Sequence, residues 1–386
     1  MKILLISMPS IHVIRWVENL KQTGHDLYWF DVMGRGALET DVINEGKQFV
    51  GWKNRKVKYI KGEFLLSKIY PELYDKLLPL LEVTAAEKLE NIINTIKPDV
   101  IHSFEMQSCC YPILKTMNKF PKLKWIYSCW GSDLFYHRQF SLRQKRIEKV
   151  LKRVDYLFTD CNRDYQIAKE LGFQGKFLGV IPGGGGFKME EIKIFSLPFK
   201  MRKTIIVKGY EHKFGRGLNV IKALELIQNK IIGYEVKVFG AHSDIINYIN
   251  DKSLNFIYFK RNELAHQSIL KLMGESLIYI GNSISDGIPN TLLESITMQA
   301  FPIQSNPGRA TEEYIKSQKN GLLINNANSI IEIRNQVSCA LDNFEMMEKA
   351  YESNSELAKE WLEYNVVNKK IKRIYNNIEN SINNTK

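Results

Sequence analysis

The sequence is poor in the features that mark several functional classes. Its five cysteines, Cys109, Cys110, Cys129, Cys161 and Cys339, are odd in number, and none has the CxxC spacing of a zinc site. They read as reduced thiols, the usual state in a cytosolic protein. No run approaches the ~18 apolar residues of a membrane span. The opening, MKILLISMPS, is short and leads into a polar helix-like segment, which makes it a first β-strand and not a secretory signal. The residues after that strand, SMPSIH, hold no glycine, so the GxGxxG turn of a dinucleotide-binding dehydrogenase is missing. A glycine-rich stretch does occur at 179–187, GVIPGGGGF, but it lacks the Lys-Ser/Thr ending of a phosphate loop.

Acidic residues are also in deficit. The 386 residues carry a net charge of +12, and residues 1–180 account for +8 of it, with 28 Lys and Arg against 20 Asp and Glu. A basic half points to an anionic partner: a phosphorylated substrate, an acidic membrane face or nucleic acid. Without a recognisable nucleic-acid module, the last is disfavoured.

Short apolar runs alternate with helical patterns. In the first half the strand candidates are KILLIS, DLYWFDV, DVIHSF, KWIYSCW, YLFTD and FLGVIP. In the second they are TIIVKG, EVKVFGA, FIYFK, SLIYIGN and FPIQSN. Thr84 with Glu87 forms a capping box, and Leu89, Ile92, Ile93 and Ile96 make an apolar helical stripe that ends before Pro98. Such alternation predicts parallel sheets covered on both faces, an α/β chain of two Rossmann-like domains. The expected division is 1–182 for the first domain, 183–203 for a linker, 204–360 for the second, and 361–386 for a C-terminal helix and tail that returns to the first. Ligands of such sheets bind beyond the carboxyl ends of the strands, so the loops after each strand carry the functional expectations.

After SLIYIGN comes a loop, Asp286-Gly287-Ile288-Pro289-Asn290-Thr291, and then a helix containing Glu294. Pro289 suits a first helical turn, Gly287 permits close approach to a ligand, and the free amides and dipole of the turn suit an anion. An ordinary capped turn with a solvated Glu is the plain alternative. In combination, Asp286-x7-Glu294 and the Gly-Ile-Pro-Asn turn resemble the Glu-x7-Glu motif of retaining GT-B glycosyltransferases of the family 4 type. The likeness runs over nearly the whole chain, with Asp in place of the first Glu.

The resemblance implies two domains facing across a cleft and a retaining hexosyl or N-acetylhexosaminyl transfer from a nucleotide-sugar donor. The acceptor would be a saccharide or a lipid-linked saccharide in surface polysaccharide or glycoconjugate synthesis. It implies that Glu294 binds the ribose, that Asp286 meets the donor sugar, and that Gly287, Ile288, Pro289, Asn290 and Thr291 hold the diphosphate without a metal or other cofactor. The loop Val207–Gly217 resembles the family's Gly-Arg…Lys-Gly loop. Arg216 takes the Lys place and Tyr210 the Arg place, leaving Lys208, then Lys213, to supply the missing charge. Pro182 with Gly183, Gly184 and the two glycines after them would form the crossover into the second domain, with room for the donor sugar.

On the acceptor side the candidates are Ser10, His12 and Arg15 after the first strand, His102 in DVIHSFEMQS, and Trp130 and Asp133 in CWGSD. His12 either faces a ligand or merely starts a helix. His102 either lines the site or is a satisfied structural histidine. Trp130 stands where the family usually has His, and either stacks on a sugar or packs as core. The basic segments GWKNRKVKYIKGEF and HRQFSLRQKRIEKVLKR suit an acidic membrane surface, consistent with a cytoplasmic protein peripheral to the inner face of the membrane, or are simply solvated faces. Two other activities stay open: a non-catalytic GT-B subunit supporting a partner enzyme, and an epimerase or phosphorylase of the same shape.

Overall fold

The computed structural model describes residues 1–384, apart from the side chains of Glu72 and Asp75. The chain forms two compact units. One comprises Met1–Thr159, Tyr165–Gly179 and Ile371–Lys386, the other Asp160–Asp164 and Val180–Lys370.

The first unit is built on seven parallel strands: β1 (Lys2–Ser7), β2 (Asp26–Asp31), β3 (Gln48–Phe49), β4 (Val100–Phe104), β5 (Lys124–Ser128), β6 (Tyr156–Thr159) and β7 (Lys176–Val180). Their order is 3-2-1-4-5-6-7. KILLIS is apolar at nearly every position because β1 is central and covered on both faces, and Ile3 to Ile6 are fully buried. The second unit has six: β8 (Thr204–Lys208), β9 (Glu235–Ala241), β10 (Phe256–Lys260), β11 (Ser276–Gly281), β12 (Phe301–Ser305) and β13 (Leu322–Ile324), in the order 10-9-8-11-12-13. The order reverses between β1 and β4 in one sheet and between β8 and β11 in the other. At such switch points neighbouring loops diverge and leave a crevice for ligand.

Helices α1 (Ile11–Asn19), α2 (Glu63–Ile69), α3 (Pro71–Leu81) and α4 (Ala85–Ile96) belong to the first unit. α4 starts as its sequence dictates. Thr84 accepts from the Glu87 amide while the Glu87 carboxylate accepts from the Thr84 amide, and Leu89, Ile92, Ile93 and Ile96 are buried. Strands β3 and β13 were not foreseen, being two and three residues long, too short for a period-2 signal.

The C-terminal helical stretch is interrupted. Glu363 adopts an extended conformation and pairs with Phe187, whose amide donates to Leu362 O at 2.7 Å and whose carbonyl accepts from the Tyr364 amide at 2.9 Å. This is where the glycine run ends. A Cβ on Gly186, which has φ +87°, would lie 2.8 Å from Tyr364 Cα, so a left-handed turn without a side chain is required there. The helix then resumes as Tyr364–Asn383 and delivers Tyr375 to the core of the first unit.

That core contains His102, fully buried. Its Nδ1 lies 2.5 Å from the Tyr375 hydroxyl and its Nε2 2.7 Å from Ser128 Oγ, and Trp16 Nε1 donates to the same Tyr375 hydroxyl. His102 is therefore a structural histidine and does not line a site. Burial drives its pKa well below the ordinary value, so the folded protein keeps it neutral. The unfolded chain binds a proton there near pH 6.5 and the folded one does not. The stability this group contributes is complete above that pH and is lost as pH falls below it, by up to about 1.4 kcal/mol per pH unit. Glu105, raised to about 7, titrates with the opposite sign in the same range. The His102 slope should therefore appear as the difference between wild type and His102→Gln in denaturant titrations from pH 7.5 down to pH 5, and Tyr375→Phe should cost about 1–3 kcal/mol by leaving a buried ring nitrogen unpaired.

Candidate active site

In the second unit the loops after β8 and β11 are fastened side by side. The Arg216 amide donates to Asn282 O at 3.0 Å, Asn282 Nδ2 returns a bond to Arg216 O at 3.0 Å, and it also reaches Ala327 O beyond β13 at 2.8 Å. Gly215 and Ser283 form a bridge, and the Ile284 amide donates to Phe214 O. These bonds place the Arg216 segment directly beside the run into Asp286.

The helix after that run is Asn290–Thr297, and no side chain caps its first turn. Pro289 stands at the N-cap, one position before the first turn where its sequence placed it. Gly287 donates its amide to Asp286 Oδ1 at 2.9 Å, which folds the carboxylate back over its own loop. Thr291 Oγ1 accepts from Tyr279 at 2.8 Å. Glu294 is 4% exposed, and its Oε1 lies 2.7 Å from His266 Nε2, at the head of helix His266–Glu275. A buried carboxylate is held this way only when a partner fixes it.

Other segments meet the start of this helix and the loop before it. Gly183 lies so close that an added Cβ would stand 3.7 Å from Asn290 Oδ1 and 3.9 Å from Asp160 Oδ2. Arg163 donates to the carbonyls of Asp286 at 2.7 Å and Pro307 at 2.6 Å, while its Nε bonds Asp164 at 2.9 Å. The Glu313 carboxylate accepts from the amides of Asn162 and Arg163, which pins the segment that carries this arginine.

Cations collect around Tyr210. Lys208 Nζ lies 4.8 Å and the Arg261 guanidinium 5.9 Å from its ring centre, and the rings of His212 and His242 stand within 5.8 Å of it. His242 Nε2 is buried without a hydrogen-bond partner. His212 has a lowered pKa, first through burial and then through His242, Lys208, Arg261 and Arg216. Arg216 turns its guanidinium onto the carbonyls of His212 and Gly215 and onto Asn328 Oδ1. Lys213, the second candidate for the missing charge, lies over Phe214. A pyrophosphate-like dianion fits the combined demand of these groups.

In the first unit, Ser10 caps α1 by accepting from the Val13 amide, and Arg15 follows on the same helix. His12 stands 5.2 Å, ring to ring, from Trp130, which itself is 6.1 Å from Phe104. Trp130 is half-buried, so part of its face is open. Asp133 is consumed internally: it accepts from the Met106 and Trp130 amides, the Tyr127 hydroxyl and the Cys129 thiol. Its role is to shape the CWGSD loop, and at 4% exposure it is not placed to meet an acceptor. Glu105 is the carboxylate that remains there. It sits at φ 70°, accepts from the Gln107 and Ser108 amides, and is pushed up to about 7 by burial and by Asp133.

Sequence reading missed His266, His242, Arg261 and Arg163. Arg163 left one usable signal, a basic residue just past a strand end; the others lie in no motif. Among the described residues no group of three or more His, Cys, Asp or Glu is placed to hold a metal ion. None of the five cysteines, all among the described residues, forms a disulfide, and no helix among the described residues is long and apolar enough to cross a membrane.

Residues 2–161 match the model of the family described as glycosyl transferase 4-like. No curated protein matches the chain in sequence. Among solved structures, the chain resembles sucrose-phosphate synthase from Thermosynechococcus elongatus with a TM-score of 0.70 at 11% identity, over 98% of this chain and 99% of that one. It resembles HepE from Anabaena, solved in complex with UDP and glucose, with a TM-score of 0.68 at 11% identity, over 98% and 100%. A glycosyltransferase from Rickettsia africae gives 0.66 at 16% identity, over 98% of each chain. These likenesses show the fold: two parallel-sheet α/β domains of the GT-B kind. With the family match over the first 161 residues they support a GT-B glycosyltransferase.

Sodium pyrophosphate at tenfold its dissociation constant should raise the melting temperature by about 3–6 °C. The gain should shrink at high salt and in Arg216→Ala, which differential scanning fluorimetry will read.

Proposed function

We propose that this chain is a retaining glycosyltransferase that moves a hexosyl or N-acetylhexosaminyl group from a nucleotide-sugar donor to a saccharide or lipid-linked saccharide in surface polysaccharide or glycoconjugate synthesis. The observation that carries the proposal is Glu294: a buried carboxylate fixed by His266, one turn inside a helix whose uncapped start lies beside Gly183 and follows the loop fastened to the Arg216 segment. HepE, with its UDP and UDP-glucose complexes, supports a donor of that class.

In this reading Glu294 takes the ribose hydroxyls, since it lies deeper in the helix than the amides that take the phosphates. Gly287 to Thr291 hold the diphosphate from one side, and Arg216 with Lys208 from the other. Arg216 would turn from the carbonyls of its own loop to the phosphate oxygens, giving two neutral acceptors for a charged one. Negative charge grows on the leaving diphosphate as the C1–O bond breaks, and fixed cations there stabilise it without a metal. The acceptor hydroxyl oxygen bonds to C1 on the same face, and its proton passes to the departing phosphate oxygen. Asp286, folded over Gly287, faces the donor sugar and serves as a positioning group, not a nucleophile. On the acceptor side Ser10, His12, Arg15 and Trp130 offer hydroxyl, imidazole, guanidinium and ring-face contacts.

Thermal-shift screening with UDP-, GDP- and ADP-sugars should reveal one stabilising class. Release of nucleoside diphosphate should depend on added acceptor, which separates transfer from epimerisation. Glu294→Ala should lower kcat/KM by about 10- to 100-fold, the worth of a charged hydrogen bond. No stabilisation by any donor would overturn the reading, and wild-type turnover no greater than that of Glu294→Ala would point to a non-catalytic subunit. Replacing Gly184 and Gly185 by Val should reduce turnover more than nucleotide affinity; an equal loss would make that loop a phosphate site.

A further inference from the structure

α2 is inside out. Its single buried residue is a carboxylate, Glu63, while Phe64, Leu65 and Ile69 are more than half exposed. The inversion is built in. Arg55 clamps Glu63 with two hydrogen bonds of 2.7 and 2.8 Å and also reaches Glu82, and Tyr74 adds a third bond to Glu63. The guanidinium beside it holds the Glu63 carboxyl down to about 2. Arg55 and Glu82 form an antiparallel bridge, and the Lys56 amide donates to Leu81 O, closing the base of the α2–α3 hairpin. The polar groups thus satisfy one another inside, and the apolar side chains are turned out.

The resulting patch is dense. Among the described residues, nine of the 22 exposed large apolar side chains fall between Val57 and Leu80. Scattered exposed hydrophobics need no explanation, but a concentration of this kind marks a contact surface. Its border is basic: Lys53 to Lys76 carry seven Lys or Arg against three acids, one of which is the internally clamped Glu63. Tyr59 and Tyr70, both exposed, add the amphipathic rings favoured at the boundary between lipid headgroups and acyl chains. The basic border continues into a groove of about 730 Å³ behind α3, lined by Lys53, Lys76, Trp52, Tyr111 and Arg146.

We infer that the α2–α3 hairpin is a docking surface for an anionic phospholipid bilayer. Phe64, Leu65, Ile69 and Leu80 enter the headgroup boundary, the lysines reach lipid phosphates along their apolar stems, and the groove behind α3 accepts a headgroup phosphate. A second copy of this chain is disfavoured as the occupant, since face-to-face pairing would bring the two basic borders together. The inference stands apart from the donor chemistry and survives its failure.

Sedimentation of the full chain with phosphatidylcholine vesicles, with and without phosphatidylglycerol, tests it. The wild type should bind the anionic vesicles, and less so at high salt. Phe64→Ser/Leu65→Ser/Ile69→Ser should reduce bound protein more than tenfold, and Lys58→Glu/Lys61→Glu should remove the preference for anionic lipid, both with unchanged circular dichroism and melting temperature. In Phe64→Trp, which keeps the apolar face, tryptophan emission should shift to the blue on binding. Wild type that stays in the supernatant at low salt overturns the inference, as does binding that neither set of substitutions weakens. A wild-type dimer in gel filtration that the serine substitutions dissociate would show the face to be a self-interface and would overturn it too.

Discussion

One asparagine holds the candidate donor site together. Asn282, buried past the end of β11, gives its side-chain amide to Arg216 O and Ala327 O and its backbone carbonyl to the Arg216 amide. Loops at carboxyl ends of strands have no ladder to hold them, so side-chain to backbone bonds must do it. Because β8 and β11 are neighbours at the switch point, fastening their loops sets a basic segment beside the run that leads into Asp286 and the helix after it. Arg163 does the same from outside by gripping the carbonyls of Asp286 and Pro307.

The site that results depends on charges of opposite kind kept at different depths. The acid lies deep, Glu294 with His266. The cations lie shallower, with Arg261 and His212 exposed and Lys208 half-buried about Tyr210. Burial, and then repulsion among like charges so placed, make His212 lose its proton more easily than a free histidine. An anion relieves that repulsion. The hairpin of the first unit follows the opposite plan: there the ion pair is turned inward and the apolar surface outward.

The strand–helix alternation made both sheets legible. Eleven of the thirteen strands coincide with apolar runs bounded by turn residues, and α4 declared itself through Thr84 and Glu87. The two missed strands are short edge elements whose pairing depends on neighbours. His102 shows where local pattern stops. A histidine after an apolar run looks alike whether it lines a site or fills a core, and the Tyr375 that settles the matter lies 273 residues away. Asp133 is similar: its motif could be read, but four donors from three segments absorb its carboxylate.

By itself the sequence determined the two-domain α/β class, the position of the Asp286–Glu294 turn, and the basic, aromatic character of residues 53–80, because each depends on residues adjacent in the chain. Tertiary structure decided which groups meet. It brought His266 to Glu294, placed His242 and Arg261 beside the Tyr210 that stands in the place of an arginine, and set Gly183 next to Asn290. It also decided that Glu63 would face inward and Phe64 outward. These pairings come from strand order and loop fastening over long separations, and no local periodicity encodes them.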